Sequence, residues 1–299
     1  MYQFLFIFLV IFFASTCQSD NEKNQSENSS PEDSIITVEN LVDEISDTII
    51  NSPQEETFVY SGYYESINGL KGEELKSKLN DLIQDHKTFT YRSVYNILKE
   101  LDRDPNNTDN IIGIYSNFSI SADTGYAAGQ GWNREHVWAK SYGDFGTAPG
   151  AGTDLHHLRA SDVSTNSARN NRTFDEAEDN YIDGDGIKLG ETGSFTSDAA
   201  WVWEPRNEVK GDVARMLFYM AVRYEGESNE PDLALVDYIP SRGSKEPNHG
   251  KLSTLIRWHQ EDPVSEIEKT RNDLIFEKYQ GNRNPFVDHP ELVKKIWKN

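Results

Sequence analysis

Apolar residues recur at helical spacing in five stretches of this chain. Leu75, Leu79, Leu82 and Ile83 fall on one face, and "YRSVYNILKEL" (91–101) predicts a second short helix. "NEVKGDVARMLFYMAVRYEG" (207–226) places Val209, Val213, Met216, Leu217, Met220 and Tyr224 on one stripe, with Gly226 as the stop. "LSTLIRWHQED" (252–262) and "PVSEIEKTRNDLIFEKYQG" (263–281) predict two more helices, the second with Pro263 in its first turn. Between Ile111 and Tyr126, β-branched and aromatic residues broken by turn formers predict strands. "NREHVWAKS" (133–141) and "DLHHLRAS" (154–161) predict one strand each. "DVSTNSARNN" (162–171) predicts a short helix capped by Ser161 or Asp162. The fold class expected is α+β, mostly helical, with a small β component around residues 110–160.

The pattern breaks near the N-terminus. An apolar run of about a dozen residues opens the chain, a length that suits the core of a signal peptide better than a membrane span. Cys17, the single cysteine, falls where that run ends, as the lipidated cysteine of an exported lipoprotein does. Secretion as a soluble protein, with Cys17 removed in the peptide, is the alternative. Residues 18–57 hold eleven acids and one lysine among many Ser and Asn, too little apolar surface to offset ordering entropy. The expected organisation is therefore a signal peptide over 1–17, an acidic tether over 18–57 and one folded domain over 58–299.

Charge narrows the function. The formal net charge of −21 argues against coating nucleic acid through bulk positive potential, and the tether carries about half of that excess. A local basic cleft remains compatible with it. A lone cysteine excludes a disulfide scaffold and any multi-cysteine zinc site. "DNYIDGDGIKLG" (179–190) has the spaced aspartates of a calcium loop but not its closing glutamate, and reads as a surface turn.

Two polar clusters remain. Arg134, Glu135 and His136 crowd between Trp132 and Trp138, and the second cluster holds His156, His157, Arg159, Asn166 and Arg169. Together they predict strand, loop, strand, helix, with a histidine on the first strand and an asparagine on the helix. Neighbouring strand residues face opposite ways, so Glu135 and His136 can share one site only at a bulge or at the strand's rim.

"NREHVWAKS", "DLHHLRASDVSTNSARNN", "EVKGDVARMLFYMAVRYEG" and "YQGNRNPFVDHPELV" together resemble the bacterial endonuclease I family, over about Tyr60 to Trp297. Its members are secreted or periplasmic nucleases with a His-Me finger, or ββα-metal, site. The resemblance implies His136 as general base, with Glu135 and Asn166 as metal ligands. It also implies an arginine on the scissile phosphate, for which Arg169, Arg159 and Arg134 are candidates; His157 is a further candidate for substrate contact. Members often carry proline where Ala139 and Ala160 stand. The implied cofactor is Mg²⁺, with Mn²⁺ or Ca²⁺ as alternatives, and the implied substrate is DNA, RNA or both. No protein partner is expected, and a membrane contact only through a lipid on Cys17.

Elementary chemistry agrees with these roles. A phosphodiester repels nucleophiles, so its hydrolysis needs a deprotonated water and a cation to neutralise charge in the transition state. Neutral imidazole suits the first task, and a carboxylate with an amide oxygen suits a hard cation. The expected activity is an exported, metal-dependent, largely sequence-nonspecific endonuclease that cuts DNA, with RNA an open second substrate, and leaves 5′-phosphates. An extracellular ribonuclease of the same family, or a surface lipoprotein that binds nucleic acid without cutting it, are the rival readings.

Overall fold

The computed structural model describes residues 58–297. The signal-like segment with Cys17 and the acidic stretch lie outside the described residues.

Helices α1 (Gly72–Ile83) and α2 (Tyr91–Leu101) form where the periodicity predicts them, with Thr90 capping α2 through Ser93 N at 3.1 Å. Strands β1 (Arg103–Asp104), β2 (Asn107–Ile112) and β3 (Ser119–Ser121) make an antiparallel meander in the order β1-β2-β3. The next pair, β4 (Trp132–His136) and β5 (Leu158–Asp162), is antiparallel and feeds directly into α3 (Val163–Arg169). Asp162 is the cap of α3, accepting from Thr165 N at 2.9 Å. Both strands are shorter than the apolar pattern suggests: β4 stops at His136, and residues 154–157 form a turn before β5.

A four-stranded sheet follows, in the order β6-β9-β8-β7, from β6 (Thr173–Phe174), β7 (Asp179–Asp183), β8 (Gly190–Ser197) and β9 (Val202–Glu204). This corrects the expectation that strands end near residue 160. The Gly/Asp-rich turn stands where predicted, but it joins β7 to β8. Both flanks are polar because much of this hairpin faces solvent, which hides the strand pattern.

Helix α4 (Lys210–Arg223) runs through the main core, buried at every position after its first. Gly211 in its first turn is obligatory, since a Cβ there would lie 2.0 Å from Asp262 O. Strands β10 (Ala234–Leu235) and β11 (Asn248–His249) pair in parallel beyond it. Helix α5 (Leu252–Glu261) packs against α4. Helix α6 (Glu266–Leu274) starts three residues after Pro263, correcting the predicted start. Ser265 and Glu268 close a reciprocal capping box there, satisfying two N-terminal amides that Pro263 could not. Two short helices, α7 (Pro285–Asp288) and α8 (Leu292–Ile296), finish the described chain. The class is α+β.

Trp203 and Trp258 are core residues, whereas Trp201 is half-buried at the surface. The "NRN" loop locks the C-terminal helices: Asn282 donates to Ile83 O at 2.8 Å and Asn284 to Arg215 O at 3.1 Å.

Candidate active site

The ladder of β4 and β5 is regular from Trp132↔Asp162 to His136↔Leu158, with no bulge. Four consecutive residues of β4, Asn133 to His136, nevertheless line one cleft of about 340 Å³. Only an approach along the strand's unpaired edge lets opposite-facing neighbours share a site, so the rim alternative is the one realised. The far wall comes from α3 and the residues after it, through Asn166, Ser167, Asn170 and Asn171.

His136 ends β4, 6% exposed, with Nε2 donating to Gly152 O at 3.1 Å and its ring stacked on Tyr91 at 5.7 Å. That bond fixes the tautomer and leaves the Nδ1 lone pair as the basic site. Burial pushes the His136 pKa well below that of a free histidine, and His157 behind it adds to the shift. The imidazole is therefore neutral at pH 7, the state a general base needs.

Glu135 is 2% exposed and accepts from Tyr115 Oη at 2.7 Å and Arg169 Nη1 at 2.9 Å, both on Oε1. Oε2 thus remains as an acceptor. Burial raises the carboxyl's pKa, against the opposing pull of Arg169 and the Tyr115 hydroxyl. Asn166 donates its amide hydrogens to Asn133 Oδ1 at 2.6 Å and Arg134 O at 3.4 Å, which leaves Oδ1 for the cleft. One carboxylate and one amide oxygen are the hard donors a divalent cation of the Mg²⁺ type takes. Among the described residues no three His, Cys, Asp or Glu side chains converge as a metal group. The remaining positions would therefore fall to water and phosphate oxygens.

The candidate phosphate contacts separate sharply. Arg134 lines the cleft, its guanidinium 3.7 Å from the Tyr91 ring centroid and tethered by one bond to Tyr91 O. Arg169 does not line it. It is fully buried, and besides Glu135 it holds His136 O at 2.9 Å and Val137 O at 2.7 Å. Arg159 is also withdrawn, paired with Asp102 at 2.7 Å and lying 3.5 Å from Asp212. His157 is fully buried, donating from Nε2 to Ala151 O at 2.8 Å. Arg159 thus ties β5 to Asp102, and the His157 ring lies behind His136, 5.6 Å between centroids. His156 is buried in the same way against Tyr219.

Several cleft residues escaped the sequence reading. Asn133 stands two positions before Glu135, and strand alternation could have placed it beside that residue. Lys140, exposed on the cleft wall, follows the two buried residues Trp138 and Ala139 and carried no such signal. Tyr91 comes from the start of α2, far off in sequence.

The cleft thus gathers a neutral imidazole, a carboxylate, an amide and two cations that pair with no carboxylate among the described residues, a set that suits a hydrolase acting on nucleic acid. The chain belongs to the endonuclease I family, whose model matches residues 71–291. It is 51% identical over 242 residues to an extracellular ribonuclease of Bacillus subtilis (strain 168), covering 79% of this chain and 78% of that protein. It is 50% identical, with the same coverage, to an extracellular ribonuclease of Bacillus amyloliquefaciens.

Proposed function

We propose that this protein is an exported, divalent-cation-dependent endonuclease that cuts RNA and DNA at the phosphodiester backbone, largely without reading bases, and that β4, β5 and α3 are its His-Me finger. The observation that carries the reading is His136, neutral and oriented by Gly152 O, on the same cleft as Glu135 and Asn166. Glu135 and Asn166 would hold a divalent cation of the Mg²⁺ type, which would supply positive charge to offset the negative charge that builds up during phosphodiester hydrolysis. His136 Nδ1 takes a proton from water as that water attacks phosphorus. Arg134 and Lys140 hold phosphate oxygens in place through charge-assisted contacts. The P–O3′ bond breaks, the 3′-oxygen is protonated from solvent, and a 5′-phosphate is left.

A cleft lined by Asn, Lys and Arg side chains suits backbone contacts, which carry no sequence information. Export is supported by the N-terminal apolar run and by the extracellular relatives. Lipid attachment at Cys17 is tested by mass spectrometry of the mature N-terminus, where a free terminus elsewhere refutes it.

The deciding experiment incubates purified protein with RNA and with plasmid DNA, with Mg²⁺ and with EDTA. Degradation of both, abolished by EDTA and leaving 5′-phosphate ends, is expected. Intact RNA and DNA with Mg²⁺, retarded on a gel, would replace an enzyme by a binding protein. A strict ribonuclease is the second reading, favoured by the names of the two relatives; cut RNA beside intact DNA would establish it.

A further inference from the structure

Trp201 occupies the last position of the turn joining β8 to β9, with a φ of 58°. Hairpin turns reserve this left-handed conformation for glycine or asparagine, and a bulky side chain there is an outlier. Such strain persists where the surroundings hold it, and here they hold the indole. Its Nε1 donates to Asn171 Oδ1 at 2.8 Å. Two guanidinium groups lie over its ring, Arg172 at 4.0 Å and Arg242 at 3.6 Å from the centroid.

The two arginines differ in what they have left to offer. Arg172 is buried and committed, donating to Ala168 O and pairing with Asp198. Arg242 is exposed, and among the described residues it pairs with no carboxylate. In a chain of net charge −21, an arginine kept away from carboxylates and stacked on a strained tryptophan needs a reason.

Asn171 connects this stack to the cleft. It lines the cleft wall, and its amide nitrogen donates to Arg242 O at 2.9 Å and to Ser141 Oγ at 3.3 Å. Ser141 lines the cleft as well. Arg134 and Lys140 are likewise without carboxylate partners among the described residues, so three free cations run from the catalytic strand outward to Arg242. The arrangement at each end is alike: Arg134 stacks on Tyr91, and Arg242 stacks on Trp201.

We propose that Arg242, held flat by Trp201, is a phosphate contact for the strand flanking the cut bond, outside the catalytic cleft. This rests on the nucleic-acid substrate proposed above. Trp201 is a positioning residue, and its indole restricts the guanidinium so that less freedom is lost when phosphate binds.

The test measures binding of a fluorescent single-stranded oligonucleotide in EDTA, where no cutting occurs, across a salt series. Arg242→Gln is expected to weaken binding about threefold to tenfold at low salt and to reduce the slope of log K against log salt by about 0.7, the loss of one single-strand phosphate contact. Trp201→Gly, relaxed at that φ, is expected to keep the melting temperature and weaken binding in the same direction. Lys269→Gln removes an equal charge from exposed α6 and controls for bulk electrostatics. Arg242→Gln with the slope of Lys269→Gln would overturn the subsite. If the wild-type protein still cuts the oligonucleotide with Mg²⁺ in that case, the nuclease reading stands alone. A wild-type protein that neither binds nor cuts would overturn both.

Discussion

Arg169 Nη1 and Glu135 Oε1 meet at 2.9 Å with both side chains withdrawn from solvent. The guanidinium belongs to α3 and the carboxylate to β4, so this pair sets the helix against the strand edge that forms the cleft. Removing one partner strands the other as a buried charge. Arg169→Met should therefore cost about 3–5 kcal/mol and lower the melting temperature by about 10 °C. Arg169→Lys should not restore it, because one ammonium cannot serve Glu135 and two backbone carbonyls in a planar fork. Thermal melts of both variants check this.

His136→Ala should lower cleavage by about 10²–10⁴-fold while nucleic acid still binds. Turnover near that of wild type would remove His136 from the base role.

Asn166→Ala removes the amide oxygen from the cleft and leaves Glu135 in place. The Mg²⁺ concentration for half-maximal activity should rise steeply, or cleavage should vanish. An unchanged Mg²⁺ titration would contradict the ligand assignment.

Much of this geometry was legible in the sequence, and the boundary has physical causes. Helix α3 with its Asp162 cap, and the succession β4, β5, α3, follow from local periodicity and capping chemistry. His136 and Asn166 stand out because local blocks carry them, and both line the cleft. What was not legible depends on contacts distant in sequence. Nothing near Arg159 announces Asp102, and nothing near Arg169 announces His249. An arginine in a polar segment reads as exposed unless its buried partner is known. Strands β7 and β8 were missed because their polar, half-exposed residues lack the apolar alternation that marks a covered sheet.

Three buried imidazoles set the acid limit of stability. Burial lowers His156 and His157 to about 4, and lowers His249 to about 3, with the Arg169 charge adding to the last. Folded histidines that resist protonation stabilise the native state above the unfolded pKa of about 6.5, and that stability is lost as pH falls through the folded values. Each contributes at most about 3–5 kcal/mol. Glu268 runs the other way: burial, with nearby Asp212, raises it to about 7, so its contribution is lost between about pH 4.5 and 7 as pH rises. One acid does not offset three imidazoles. Urea midpoints should fall progressively between pH 6.5 and 4; a flat profile there would contradict the buried neutral state.

Gly152 offers a separation of stability from chemistry. A Cβ on it would meet Gly146 O at 2.7 Å and the Thr147 Cα at 2.9 Å, so Gly152→Ala must displace the segment whose carbonyl orients His136. Catalysis should fall at least about tenfold with the fold retained, because misplacing a catalytic group by about 1 Å is costly. Far-UV circular dichroism beside a cleavage assay checks both halves.

Because Arg169 also holds the carbonyl oxygens of His136 and Val137, α3 cannot fray without releasing the strand that carries His136, the proposed base. Catalytic strand and helix then open as one cooperative unit, and amides in both should exchange hydrogen at a common, slow rate. Partial unfolding cannot produce a loosened enzyme that still cuts. A molecule damaged at this point falls silent before it comes apart.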